Sequence, residues 1–469
     1  MPRKPAIRMS PTEWRASHSL AAVYALRMLG MFLVLPVLAL HAHSLIPDDA
    51  PPEQRAYMVG AAMGVYGLTQ ALLQLPLGML SDRFGRKPVI YAGLAVFAAG
   101  CFLAAAAETP QMLIIARAIQ GAGAVSAAVT ALLADLTREE VRTRAMSMIG
   151  LTIGLSFSAG MVLSPVLSDL LGGVSGLFAL MGALTLTSIV VVAAVTPNPA
   201  CSRLHQDTQT QAGRIGEVLK NTQLLRLNFG IFALQSGLMA IFTVLPLALR
   251  ELGWERAEHW KLYLPATLVG LVLMIPAIII GETRNKLKPV FVSGIVLVLA
   301  AQAAMGGSTG SIWGITLCLT VYFIGFNILE ASMPSLVSKI APSELKGTAM
   351  GVYNTLQSVG VFAGSMMGSK MYALYGYHGA FAFCCAIVAV WLLLAATAPA
   401  PLPVKNLVFA VPEAHRADLP ALARAVAAVA GVQTVSFSED GQTLFVKALQ
   451  HGFDEAELTP ILIGEQPCP

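Results

Sequence analysis

Charge is what this sequence has least of. Only 12% of its 469 residues are Asp, Glu, Lys or Arg, while 56% are hydrophobic. A water-facing fold carries roughly 25% charged residues. Soluble enzyme, nucleic-acid binder and disordered protein are therefore excluded as readings of the whole chain. The six cysteines form no CxxC pair and no metal-ligand spacing; four lie inside apolar runs, where a small buried thiol is ordinary. No Walker A string is present and no nucleophile–base pairing stands out, so the sequence points to no ATP drive, no covalent chemistry and no cofactor. Nor does a small-residue cleavage site follow the apolar run that begins at Leu20. That run reads as a retained first span and not as a removed signal peptide.

What is abundant is apolar sequence in blocks of about 20 residues, the length that crosses a hydrocarbon layer of roughly 30 Å. Hydropathy and breakers place spans near 18–42, 57–80, 87–107, 111–134, 145–168 and 174–196. A second group lies near 224–249, 260–282, 287–305, 311–334, 347–371 and 376–396. Basic residues set the orientation: 18 fall in the loops on one side and 5 on the other, which makes the first side cytoplasmic and puts both termini there. From Leu402 onward four basic residues stand against eight acidic ones. The tail thus carries −4 and the membrane part +8 of the formal net charge of +4.

The two groups look duplicated. Phe32-Leu33-Val34-Leu35-Pro36 is echoed by Phe242-Thr243-Val244-Leu245-Pro246, and Glu140–Met146 by Glu344–Met350, at offsets of 210 and 204. Duplicated six-span halves with a site between them suit a secondary transporter that rocks about its centre. After Pro401, Asn406–Pro412 alternates like a strand and Leu419–Ala430 reads as an Ala-rich helix. Gly431–Phe437 and Thr443–Ala448 flank the turn signal Glu439-Asp440-Gly441, and Asp454–Ile461 reads as a second helix. The expected organisation is an N-terminal segment (1–17), a six-helix half (18–196), a central loop (197–220), a second six-helix half (221–398) and a small cytoplasmic α+β domain (402–465).

The string richest in chemistry is Gly78-Met79-Leu80-Ser81-Asp82-Arg83-Phe84-Gly85-Arg86-Lys87, between the second and third spans. Gly78 permits close helix approach, Gly85 a left-handed turn, and Asp82 is placed to pair with a cation or cap a helix start. A basic loop alone would account for Arg83, Arg86 and Lys87, but not for the Gly/Asp framework. Inside the spans, Arg27 falls near mid-bilayer and Arg117 about two turns into the fourth span. A cation so placed is costly and should face a cavity or a partner, though a structural hydrogen-bond hub is the alternative. Glu330 reads either as an intramembrane proton site or as a residue near the cytoplasmic interface. His41 and His43 fall where the first span exits and read as interfacial.

The loop string resembles the signature of the major facilitator superfamily, G-x-L-[AS]-D-R-x-G-R-[KR]. Arg117-Ala118-Ile119-Gln120-Gly121-Ala122-Gly123 is similar to the fourth-span motif of its drug:proton antiporters, and Leu29-Gly30 with Pro36-Val37 to their first-span motif. The fifth-span motif G-x-x-x-G-P is weakened to Gly154, Gly160 and Ser164-Pro165, with Ser164 where Gly is expected, and Gly281-Glu282-Thr283-Arg284 lacks the second-half Asp-Arg pair. The runs Leu26–Phe32 and Phe326–Ser335, with the tail, resemble the YajR-type transporters, which carry a small ferredoxin-like module called YAM. The resemblance implies an all-α membrane protein of twelve transmembrane helices in two halves, plus a ferredoxin-like C-terminal domain. It further implies a charge cluster of Asp82, Arg86 and Asp135 that locks an outward-open state. It adds Gln120 and Asn327 to Arg27, Arg117 and Glu330 as candidates for proton coupling or the substrate cavity.

The expected function is proton-coupled efflux of a small organic compound by antiport, from a monomer in a bacterial inner membrane. Its partners would be the substrate, protons and the lipid bilayer, without nucleic acid. A proton-linked importer, a uniporter and a non-transporting sensor signalling through the tail are the alternatives. Metal export through the tail would need Cys ligands that the tail lacks.

Overall fold

The computed structural model describes residues 9–463 except 124, 199–214, 256–257, 285, 343–344, 400–403, 412–417, 438–440, 442, 450–452 and 454–456. The first half holds α1 (Pro11–Ser44), α2 (Pro52–Phe84), α3 (Arg86–Ala105), α4 (Pro110–Ala122), α5 (Ser126–Asp135), α6 (Glu139–Leu170) and α7 (Val174–Ala194). A short α8 (Ile215–Lys220) leads into the second half: α9 (Thr222–Glu251), α10 (Trp260–Thr283), α11 (Leu287–Ser308), α12 (Ile312–Ile340) and α13 (Lys346–Ala396). Eleven of these stretches are long and apolar enough to cross a membrane, with α4 and α5 counted as one. The 51 residues of α13 supply two of the expected spans, because Gly376 at φ +65° breaks the helix between them. Only a residue without Cβ adopts that backbone cheaply.

Several helices outrun the expected spans. α1 begins at Pro11, where Ser10 accepts from the Glu13 amide and the Glu13 side chain reaches back to the Ser10 amide. This capping box fixes the helix start seven residues before the expected span opens at 18. The fourth span, read as continuous over 111–134, is interrupted around Gly123. There the backbone runs so close to α3 that a Cβ on Gly123 would sit 2.5 Å from the Gly93 carbonyl oxygen. Close approach to a neighbouring backbone overrides helical continuity here.

Helices alternate in direction, so one end of the bundle carries the 81–87 loop, the α5–α6 turn and the starts of α1, α9 and α13. This is called the motif end. At the opposite end α2 and α13 close against each other. Added Cβ atoms on Gly60, Gly64 and Gly67 would lie 3.1, 3.0 and 2.5 Å from atoms of Ser365, Ser365 and Ser358 respectively. Ser369 Oγ donates 2.6 Å to the Ala56 carbonyl. In a membrane such small-residue seams replace the hydrophobic drive that water would supply. Aromatic rings join the halves at mid-depth: Phe157 of α6 lies 5.8 Å from Phe323 and 6.0 Å from Phe326 of α12, and Phe32 of α1 lies 4.9 Å from Phe157.

The tail forms β1 (Val404–Ala410), α14 (Leu419–Ala427), β2 (Val432–Phe437), β3 (Thr443–Leu449) and α15 (Leu458–Ile463). The strands make an antiparallel sheet of order β1-β3-β2. Its core is Val411, Leu422, Val426, Leu444, Val446 and Leu458. The turn residues Glu439 and Asp440 lie outside the described residues.

Candidate functional site

At the motif end, Gly85 takes φ +93° and reverses the chain between α2 and α3. That turn brings Arg86 back over the last turn of α2. Its guanidinium is 3% exposed, donates 2.8 Å to Ser81 Oγ, pairs with Asp82, and reaches Asp135 Oδ2 at 3.1 Å. The Asp135 carboxylate is fully buried and that of Asp82 is 22% exposed. The three charged residues expected to cluster do so. All the bonds recorded for Asp82 and Arg86 fall within the first half.

The rest of the loop string does other work. Arg83 stacks over the Phe84 ring at 5.5 Å, and Lys87 donates 2.7 Å to the Thr196 carbonyl, tying α3 to the end of α7. Gly78 is not the close contact its position suggested. A Cβ there would lie 3.5 Å from the Ala127 Cβ, an ordinary van der Waals distance. A second ion pair escaped sequence reasoning: Glu13 binds Arg138 through both oxygens, at 2.8 and 3.0 Å. The readable signal was Ser10-x-x-Glu13, a capping-box spacing ahead of an apolar run.

Deeper in the first half a polar group forms around Tyr66. Arg27, 3% exposed, donates 2.8 Å to Ser126 Oγ and 3.5 Å to the Tyr66 hydroxyl, and lies 5.3 Å above the Phe97 ring. Arg117, 6% exposed, donates 3.3 Å to the Ala62 carbonyl and 2.6 Å to Gln120 Oε1, with its guanidinium 4.9 Å over the Tyr66 ring. Arg27, Arg117 and Gln120 are thus brought together, and Tyr66 and Ser126 join them unforeseen. Neither arginine makes an ion pair among the described residues. Their charges rest on neutral oxygens and on aromatic faces.

Glu330 belongs to the second half and to the interior, ten residues before the end of α12. Gln235 of α9 and Gln357 of α13 donate to its two oxygens at 3.2 and 3.1 Å. It too makes no ion pair among the described residues. Asn327 stands apart. Its amide nitrogen lies where a Cβ on Gly270 of α10 would come within 2.9 Å, and it shares no hydrogen bond with Glu330. His41 lines a separate cleft at the opposite end with Ser44, Asp169, Arg250 and Trp254.

Comparison with known proteins agrees with this architecture. Residues 20–365 match the family described as Major Facilitator Superfamily. The chain is 40% identical to the inner membrane transport protein YajR of Escherichia coli over 440 residues, covering 94% of this chain and 95% of that one. It is 28% identical to the tetracycline resistance protein, class G, of Vibrio anguillarum, over 75% of this chain and 88% of the relative. Among solved structures, a bacterial homologue of the human lysosomal transporter Spinster, in an inward-facing and occupied conformation, superposes with a TM-score of 0.65. That match is 13% identical and covers 83% of this chain and 96% of the other. A family match across most of the chain, a YajR-like relative of nearly its full length and a bundle of membrane-length helices lead to one conclusion: the chain belongs to the Major Facilitator Superfamily of transporters.

Proposed function

We propose that the protein exports a small organic compound by proton antiport through alternating access, in an inner membrane with both termini cytoplasmic. The observation that carries the reading is Glu330, a carboxylate in the membrane interior held by two neutral amides and, among the described residues, by no cation. A carboxylate so placed can take up and release a proton without breaking an ion pair within the chain, which suits a coupling site. The naming of a relative as a tetracycline resistance protein supports export as the direction.

The Asp82–Arg86–Asp135 cluster then acts as a conformational latch. It is assembled at the motif end, which the positive-inside bias makes cytoplasmic. Its contacts bias one state over another without touching the transported compound. The tail is a ferredoxin-like, YAM-type module with a regulatory or packing role, and the transporter works as a monomer.

The test uses proteoliposomes with an internal pH dye, an imposed proton gradient and a panel of cationic, anionic, zwitterionic and neutral organic compounds. Compound-dependent proton movement is expected in the wild type and is lost in Glu330→Gln. Glu330→Gln that still moves protons at the wild-type rate overturns the assignment.

A further inference from the structure

Charges deep in the membrane part are few enough to count. Seven or more residues in from the ends of the spans, taking 110–135 as one span and dividing α13 at Gly376, only three of Asp, Glu, Lys and Arg occur: Arg27, Arg117 and Glu330. Both cations lie in the first half and the anion in the second. A lone charge at such depth costs about 2.5–3.5 kcal/mol even on the mildest scale. The first half nevertheless holds two guanidinium groups on one tyrosine. Arg27 reaches the Tyr66 hydroxyl and Arg117 covers its ring. The donors around them are not used up: Arg27 Nε and Gln120 Nε2 are buried without a partner. Paired, half-satisfied cations with no carboxylate of their own among the described residues fit an anion from outside the chain.

Glu330 lies at the same depth across the interface. Arg27 precedes Phe32 by five residues on α1, about 7.5 Å at 1.5 Å per residue, towards the motif end. Glu330 follows Phe326 by four residues on α12, about 6 Å in the same direction. The rings joining the halves, with the glycine–serine seam behind them, form a ceiling. Arg27 sits beneath it on one side and the carboxylate on the other, while Arg117, bonded to the Ala62 carbonyl between Gly60 and Gly64, stands at the level of the seam and joins Arg27 through Tyr66.

We propose that the transported compound is amphoteric. Its acidic group docks on Arg27, with Arg117 across the Tyr66 ring adding to the positive charge, its protonated amine pairs with Glu330, and an aromatic body lies beneath Phe157 and Phe326. The inference rests on the transport reading above and gives it a coupling rule. The amine and the proton compete for one carboxylate, so loading either one expels the other, as antiport demands.

The test is a matched set of probes on one-ring and two-ring aromatic scaffolds: amine plus carboxylate, amine alone, carboxylate alone, and neither. Binding to the purified full-length protein is measured by calorimetry, and proton movement in proteoliposomes. The amine–carboxylate probe is expected to bind on the order of tenfold or more tightly than either singly charged one, the loss expected for one missing charge-assisted contact. Arg27→Gln abolishes its advantage over the amine-only probe, and Glu330→Gln its advantage over the carboxylate-only probe. Each variant leaves affinity for the probe lacking the matching group within twofold. Equal affinities across the set, or variants that weaken all probes alike, overturn the proposal. Proton movement driven only by singly charged compounds overturns it while sparing the transport reading. The expected binding pattern with no proton movement leaves the recognition intact and sinks the antiport.

Discussion

Glu13 and Arg138 meet across 125 residues of sequence, the carboxylate accepting from Nε at 2.8 Å and from an Nη at 3.0 Å. The same carboxylate accepts from the backbone amides of Ser10 and Arg138, at 2.7 and 3.0 Å. One side chain thereby closes the N-terminus of α1 and clips it to the turn between α5 and α6, beside the Asp135 cluster. Glu13→Gln keeps the size but loses the charge-assisted bonds. A loss of about 1–2 kcal/mol is expected, discounted because the Arg138 side chain is half exposed. Thermal unfolding in detergent should record it. Arg138→Gln should cost a similar amount, and the double variant little more than either single one. Full additivity would show that the two do not act through each other.

The cluster above that clip makes a kinetic prediction. Arg86 is shared between Asp82 and the fully buried Asp135, and none of the three touches the polar group around Tyr66. Asp82→Asn should therefore cut turnover at least tenfold while leaving compound affinity nearly unchanged. Compound-driven proton flux and equilibrium binding, measured on one preparation, separate the two. Normal turnover with lost binding would remove Asp82 from the latch.

The charge cluster was legible in the sequence because Asp82 and Arg86 sit in one short string, with Asp135 added through a family resemblance. Spans were legible because an unbroken run of about twenty apolar residues matches the thickness of a bilayer and little else. Less local features were not. Gln235 and Gln357 are separated by 122 positions and meet only because α9 and α13 both pack against Glu330. Nothing in either neighbourhood marks the amide as a partner. The break at Gly123 was missed for a like reason: it arises from the backbone of α3, and hydropathy registers only the side chains. Asn327, added through the same resemblance, is three residues from Glu330, but its amide nitrogen lies against Gly270 of α10.

The seam between α2 and α13 predicts a conformational bias. A Cβ on Gly67 would lie 2.5 Å from the Ser358 carbonyl oxygen and 2.9 Å from the Val361 side chain, and a backbone oxygen cannot step aside. Gly67→Val should hold the opposite end open. Cysteines placed at 56 and 369, where Ser369 now bonds the Ala56 carbonyl, should cross-link readily in an otherwise cysteine-free background. Cross-linking should fall several-fold when Gly67→Val is added. Unchanged cross-linking would mean that the seam yields elsewhere and does not set the state.

Two glycines in family-like motifs should behave in opposite ways. Gly121 lies where α4 crosses α2, and a Cβ there would run into the Tyr66 carbonyl oxygen and Thr69 Oγ1. Gly121→Ala must push α4 off α2 at the residue that both Arg27 and Arg117 contact. Overpacking of this kind costs about 1–3 kcal/mol, and the displaced Tyr66 should also weaken compound binding. Gly78→Ala should change unfolding by less than about 0.5 kcal/mol, because the new methyl meets Ala127 at an ordinary distance. Thermal unfolding with binding on both variants decides the matter. If Gly78→Ala proved as damaging to stability as Gly121→Ala, α2 and α5 would have to pack more tightly than a 3.5 Å approach allows. Should it leave stability and binding intact but slow turnover, α2 and α5 must approach more closely in another state of the cycle, and the glycine is required there.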